Sequence, residues 1–405
     1  PLVYLPLASA ADPYLDMGDP ETWEGFWAVI TAAPFRGLLG GVPLRVMADR
    51  ALLLASELHL EVGIMALAAW PGAAALWTRG EAARGLAAAA GALILASASF
   101  TLAYDILDYE AYLIPTYLGI CLLGGACFHW LTGMTGPRVT AALALTTLLG
   151  LFLNFQRNDQ SEQDLVERLA RDTLASVAPD ALLLAHGDAS ATAMAYLQAV
   201  KGVAPGVRVV RIGNLAPWSL RQLAARYPED PWPAPQTPGQ GMALARSVMA
   251  ALLPGRPVFV PLSVDPSQLL PRDGSLGLVP RGLVKEVRRR GERIPLRRLA
   301  RQDAGRLLTS AAKIKPLPVG ADMDLKSLQL GYALALVNTG ELLARFGDAG
   351  LARKCLDAAL ALNPGLHEAD MAEEVRRKGG QRMPRVNLEA RVRAILTAPA
   401  RGSNP

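Results

Sequence analysis

Four apolar runs within the first 155 residues decide what this chain can become. Leu60–Trp77 (LEVGIMALAAWPGAAALW) carries one charge, Glu61, at its edge. Gly85–Tyr104 (GLAAAAGALILASASFTLAY), Ala111–Leu131 (AYLIPTYLGICLLGGACFHWL) and the shorter Val139–Phe155 (VTAALALTTLLGLFLNF) carry none. About 17–25 apolar residues cross a bilayer, and the glycine, alanine and serine inside these runs suit close helix packing in lipid. The expectation is a multi-pass α-helical membrane domain over residues 1–155, with spans near 60–77, 85–104, 111–131 and 139–155. The opening PLVYLPLASA reads as the end of one more span at 1–9, entered midway, so the chain is expected to be the C-terminal part of a longer protein. An outer loop at 10–44 and an amphipathic interfacial helix at 45–59 complete the domain.

Charge separates this half from the rest. Residues 1–155 hold six arginines and no lysine against twelve carboxylates, a net of −6; the remaining 35 basic and 24 acidic residues give +11 beyond it. Arg79, Arg84 and Arg138 mark two loops as cytoplasmic, while the loop Asp105–Glu110 has no positive residue and belongs outside. Parity then exports everything after Phe155. The chain reads as a bacterial inner-membrane protein with its C-terminal domain outside the cytoplasm.

The exported part alternates strand and helix. Ala181–Ala185, Val207–Ile212 and Pro257–Val264 read as strands, with helices at Ala189–Val200, Pro217–Tyr227 and Gly241–Leu253 between them. This order predicts a small parallel-sheet α/β domain over 156–310, to which Leu276–Val287 adds another strand. LQLGYALALVNTGELLARFGDAGLARKCLDAALALNPG, from Leu328 to Gly365, matches a tetratricopeptide unit and places such helices at 325–380, as a docking place for a protein partner. A basic tail at 381–405 is expected to be partly disordered.

The order YLPLASAADPYLDMGDPETWEGF, DYEAYLIPTYLG and APDALLLAHGDASATAMAYLQAVKGVAPGVRVVRIGNL resembles the domain of unknown function 2723 family. These are transmembrane protein 260-like multispanning membrane proteins related to protein O-mannosyltransferases. The resemblance covers about residues 1–290 and implies the C-terminal half of a membrane glycosyltransferase-like bundle. It also implies a lipid-phosphate-linked sugar as donor. Two departures stand out. The family's catalytic aspartate lies in a loop upstream of Pro1, so the base is not among these residues. The family's Gly-Asp-Asn-Asp-Thr turn is here Gly187-Asp188-Ala189-Ser190-Ala191, lacking the second acid.

Glycosyl transfer needs a base for the acceptor hydroxyl and positive charge on the leaving phosphate. Asp105, Asp108 and Glu110 in one acidic loop and Asp16, Asp19 and Glu21 in the other are the candidate carboxylates, able to take a proton or to hold a divalent cation by oxygen. Within GDPE, Asp19 is expected to be extended ahead of Pro20. Arg36, Arg45 and Arg50 are candidates for the donor phosphate. His129 reads as a packed residue of its span, and His186–Gly187–Asp188 as a turn at the strand end where α/β domains bind ligands. The run Arg281–Arg306 lacks interleaved aromatics, which argues against nucleic acid and for anionic headgroups or a solvated face. No zinc or disulfide spacing is present, nor any P-loop, Rossmann fingerprint or nucleophile elbow. The intact protein thus reads as a membrane glycosyltransferase acting on a protein or envelope glycan, with residues 1–405 alone inactive. The alternative is a non-catalytic, membrane-anchored platform for envelope partners.

Overall fold

The computed structural model describes residues 2–363, apart from Asp12, Leu15, Leu107, Asp108, Gln160, Glu162, Gln236, 238–239 and 318–322. The candidate Asp108, the end of the repeat-like segment and the basic tail therefore lie outside the described residues. The chain is mostly helical. It runs α1 (Tyr4–Ser9), α2 (Trp23–Ile30), α3 (Leu44–Val62), α4 (Met65–Trp77), α5 (Glu81–Ala103), α6 (Ile114–Thr135), α7 (Pro137–Asn158) and α8 (Leu165–Ser176). Then come β1 (Leu182–Ala185), α9 (Asp188–Ala199), β2 (Arg208–Arg211), α10 (Pro217–Arg226), α11 (Met242–Leu252), β3 (Val258–Pro261) and the single turn α12 (Pro266–Leu269). Strands β4 (Leu276–Arg281) and β5 (Val284–Arg289) precede α13 (Leu296–Ala311), α14 (Met323–Arg345) and α15 (Ala349–Leu362). Contacts divide the described residues into two units, one of 32–159 and one joining 2–31 to 161–363.

In the 32–159 unit, helices approach through glycine. A Cβ on Gly72 of α4 would sit 1.8 Å from the Leu123 carbonyl oxygen of α6, and one on Gly119 would sit 3.0 Å from the Ala90 oxygen of α5. Ala87, Ala90 and Leu123 form its small buried cluster. Two stretches, Glu81–Ala103 and Tyr109–Met134, are long and apolar enough to cross a membrane. The expected span at 60–77 is shorter than the sequence predicts. Gly63, at φ +55°, interrupts the helix and leaves α4 with 13 residues. The apolar part of α7 is likewise short, Ala144–Phe155.

The other unit is built on a five-stranded sheet of order β2-β1-β3-β5-β4. Strand β1 pairs in parallel with β2 and β3, and it is buried along its whole length, as a central parallel strand should be. Its residues alternate between faces. Leu182 and Leu184 pack with Leu244, Val248 and Leu252 of α11, whereas Leu183 and Ala185 pack with Met194 and Leu197 of α9 and Leu174 of α8. The sheet is mixed, not parallel throughout as expected. Leu276–Val287 is a hairpin, in which β5 runs antiparallel to both β3 and β4 and the chain reverses at Gly282, φ +57°. Pro280 is tolerated because β4 is an edge strand. Helices α8, α13, α14 and α15 share a further core around Leu169, Leu307, Tyr332, Leu336 and Leu356. Residues 2–31 join this unit and not the apolar helices with which the sequence groups them.

Candidate functional site

The N-terminal segment owes its attachment to side chains far away in sequence. Tyr14 donates its hydroxyl to Gln198 Oε1 at 2.7 Å, and the Arg226 guanidinium lies 4.3 Å from the Tyr14 ring centre. Burial pushes the Tyr14 phenol up to about 12, reinforced by neighbouring Tyr227. Gln198 in turn donates to the carbonyls of Ala204 and Val207 at 3.0 and 2.8 Å, so its acceptor oxygen is oriented toward Tyr14.

In the GDPE turn Asp19 and Pro20 are buried and Glu21 is exposed. Asp19 is buried, with one carboxylate oxygen paired to Arg221 and the other accepting from Gln222 Nε2 at 2.8 Å. Its φ is +46°, so it is left-handed and not extended as its place before Pro20 predicts. Aspartate tolerates that region better than most residues, and the two side-chain anchors hold it there. Thr22 caps α2 by accepting from the Gly25 amide at 3.0 Å. Residue 25 must be glycine, because a Cβ there would lie 2.1 Å from the Asp19 carbonyl oxygen.

Around this turn Asp16, Asp19 and Glu21 converge, with one oxygen from each within 4.8 Å of the others. Ser9, the buried last residue of α1, donates to Asp16 Oδ2 at 2.7 Å and also touches Glu21. A hydroxyl has one hydrogen. It is donated to Asp16, and Glu21 lies on the other side of the same hydroxyl. Burial raises the Asp16 carboxyl above its ordinary value; Ser9 lowers it, and the charges of Glu21 and Asp19 raise it again. Positive charge already reaches the cluster through Arg221, which pairs with Asp19. The cluster's donor set, three hard carboxylate oxygens, fits a divalent cation of the calcium or magnesium kind.

The second acidic loop lies in the 32–159 unit. Asp105 is exposed, and its amide donates to the Leu38 carbonyl at 2.8 Å, next to a bridge between Leu39 and Tyr104. Glu110 is half-buried. Arg50 is wholly buried behind this loop. It donates to the carbonyls of Leu102, Tyr104 and Ile106 at 3.5, 2.7 and 3.3 Å and stacks 4.3 Å from the centre of the Tyr109 ring. A guanidinium held this way fastens the loop and offers no open fork to a phosphate. Arg36 and Arg45 are exposed. His129 is exposed on α6 and not packed as expected. His186 is exposed as well; the turn after β1 is closed locally by Ser190 Oγ donating to the His186 carbonyl at 3.1 Å.

The sequence thus singles out the three carboxylates but not Ser9, Tyr14, Gln198, Arg221 or Gln222, which position them. Taken together, fold and site define a mostly helical chain with a small mixed sheet, two helices long and apolar enough to cross a membrane, and a three-carboxylate cluster. No protein-family model, no curated protein and no solved structure matches it.

Proposed function

We propose that this chain belongs to a multi-pass membrane glycosyltransferase that moves a sugar from a lipid-phosphate donor to a protein or envelope glycan outside the cytoplasm. The observation that supports it is the convergence of Asp16, Asp19 and Glu21 at the end of an apolar helix. In this reading the cluster serves the leaving phosphate. A divalent cation held chiefly by Asp16 and Glu21 would add to the charge that Arg221 already brings to Asp19. Arg221 and Gln222 keep Asp19 oriented. The exposed Arg36 and Arg45 are proposed separately, as headgroup contacts of the 32–159 unit. The multi-pass reading adds α4 and α7 to the two long apolar stretches, and α14–α15 is proposed as a tetratricopeptide-like hairpin for a protein partner.

The test is sugar transfer in membranes that carry the intact protein. Combining Asp16→Asn with Glu21→Gln is expected to lower turnover by about 10²-fold or more, the range of a lost acid–base or charge-stabilising group. Transfer at the parent rate by that variant would overturn the reading. Asp105→Asn separates the two loops: a parent rate leaves the second loop with topology alone, and a comparable loss assigns it chemistry. The non-catalytic platform is supported by a different observation, the joint grip of Arg297 and Arg301 on Asp348, which fixes the α14–α15 turn to α13. It predicts partner capture with no transfer by any version of the protein.

A further inference from the structure

The arginine-rich end of the β4–β5 hairpin has no part in that chemistry. Within the run 281–306, Arg281 pairs with Glu286 and Asp303, Arg288 with Glu286 and Glu292, and Arg306 with Asp303. Arg297 and Arg301 share Asp348. Arg272, Arg289, Arg290 and Arg293 are exposed and form no ion pair among the described residues. The fold gathers Arg272, Arg289 and Arg290, and Arg293 follows Arg290 by three residues in the chain. Leu276 pairs with Arg289 across the hairpin, the Arg290 amide donates to the Ser275 carbonyl at 2.9 Å, and the Arg290 guanidinium lies against Gly274 in the turn that carries Arg272. The one carboxylate in that turn, Asp273, is taken up by the amide and hydroxyl of Ser275 at 2.9 and 2.7 Å.

We infer that this end of the sheet is an electrostatic foot that rests on anionic phospholipid. Guanidinium forks match phosphate oxygens bidentately. The stretch 271–298 holds no aromatic residue on which a nucleic-acid base would stack. A chain with helices long and apolar enough to cross a membrane keeps its other surfaces near headgroups at high effective concentration, so individually weak contacts suffice. The inference rests on membrane attachment and is independent of sugar transfer.

The full chain is placed in nanodiscs of phosphatidylcholine alone or mixed with phosphatidylglycerol, and arginine modification by phenylglyoxal is followed by peptide mass spectrometry. Arg272, Arg289, Arg290 and Arg293 are expected to react about tenfold more slowly in the anionic discs at low salt, and at the neutral-disc rate in about 0.5 M salt, where the Debye length falls to a few ångströms. Arg246, exposed on α11, serves as the unprotected control. Equal rates in neutral and anionic discs, or equal protection by an RNA or DNA duplex, would overturn the assignment. A chain that does not enter discs at all refutes membrane attachment, and the foot is then read by cosedimentation with anionic vesicles. There R289Q/R290Q is expected to bind more weakly by roughly fivefold per arginine, and equal binding overturns it.

Discussion

In residues 32–159, Leu67, Trp70, Leu95 and Phe152 are each at least 70% exposed; in the other unit Leu182, Leu183, Leu184 and Phe259 are at most 1% exposed. The first region turns large apolar side chains outward and brings backbones together at Gly72 and Gly119. The second turns them inward on both faces of a sheet and ties its surface with arginine–carboxylate pairs. Core helices of a water-soluble domain are mostly buried, whereas the two long apolar stretches are 17% and 39% buried over their most apolar windows. Large apolar side chains thus face outward in one region and inward in the other. The same contrast governs charge. The buried Arg50 is held by carbonyls and a ring, while Asp303 and Glu286 sit buried among arginines.

The comparison breaks most readily at Gly72. Gly72→Leu is expected to force α4 from α6 and to cost about 3 kcal/mol, the upper range for overpacking, seen as a lower midpoint of thermal unfolding in detergent. An unchanged midpoint would show that these helices do not rely on close approach. Next is Arg50→Met, which leaves three carbonyls without their buried donor and is expected to cost about 2 to 3 kcal/mol. Its protease sensitivity should rise within the loop before Tyr109.

On the other side, Tyr332 is buried and donates to Asp172 at 2.6 Å. Tyr332→Phe is expected to cost about 1–2 kcal/mol. Burial and that carboxylate hold the phenol far above its ordinary value of 10.0. The unfolded chain therefore ionises first, and stability is lost as pH rises beyond 10. The variant should show a shallower alkaline decline in chemical unfolding, and an identical slope would refute the assignment. The smallest effect is expected at Asp348, whose pairing with Arg297 and Arg301 holds its carboxyl below the ordinary 3.8. That stability is present above pH 4 and is lost as pH falls through the depressed value. Asp348→Asn should differ from the parent at neutral pH and converge with it in strong acid.

Periodicity made much of this legible. The runs around Leu182 and Phe259 predict β1 and β3 within a few residues, because strands buried on both faces read as unbroken apolar stretches, and the edge strand β2 is read from the β-branched run around Val209. The hairpin after Leu276 was less readable. Pro280 weakens a strand pattern, and only a place at the sheet edge makes it acceptable. The break at Gly63 is one residue inside an otherwise apolar run, and averaging over a span hides it. Asp16, Asp19 and Glu21 stand out by type and spacing. Their supports do not, since Gln198, Arg221 and Gln222 look like ordinary helix-surface residues until the fold brings them to the N-terminal segment.

That arrangement has a consequence in time. Asp19 and Arg221 are separated by 202 residues. A ribosome adding about 5–20 residues each second needs roughly 10 to 40 s to move from one to the other. Throughout that interval the turn at Asp19 lacks the side chains that hold its left-handed backbone. The turn therefore reaches its final form only after α10 has been made, so any activity the carboxylates support begins late in synthesis.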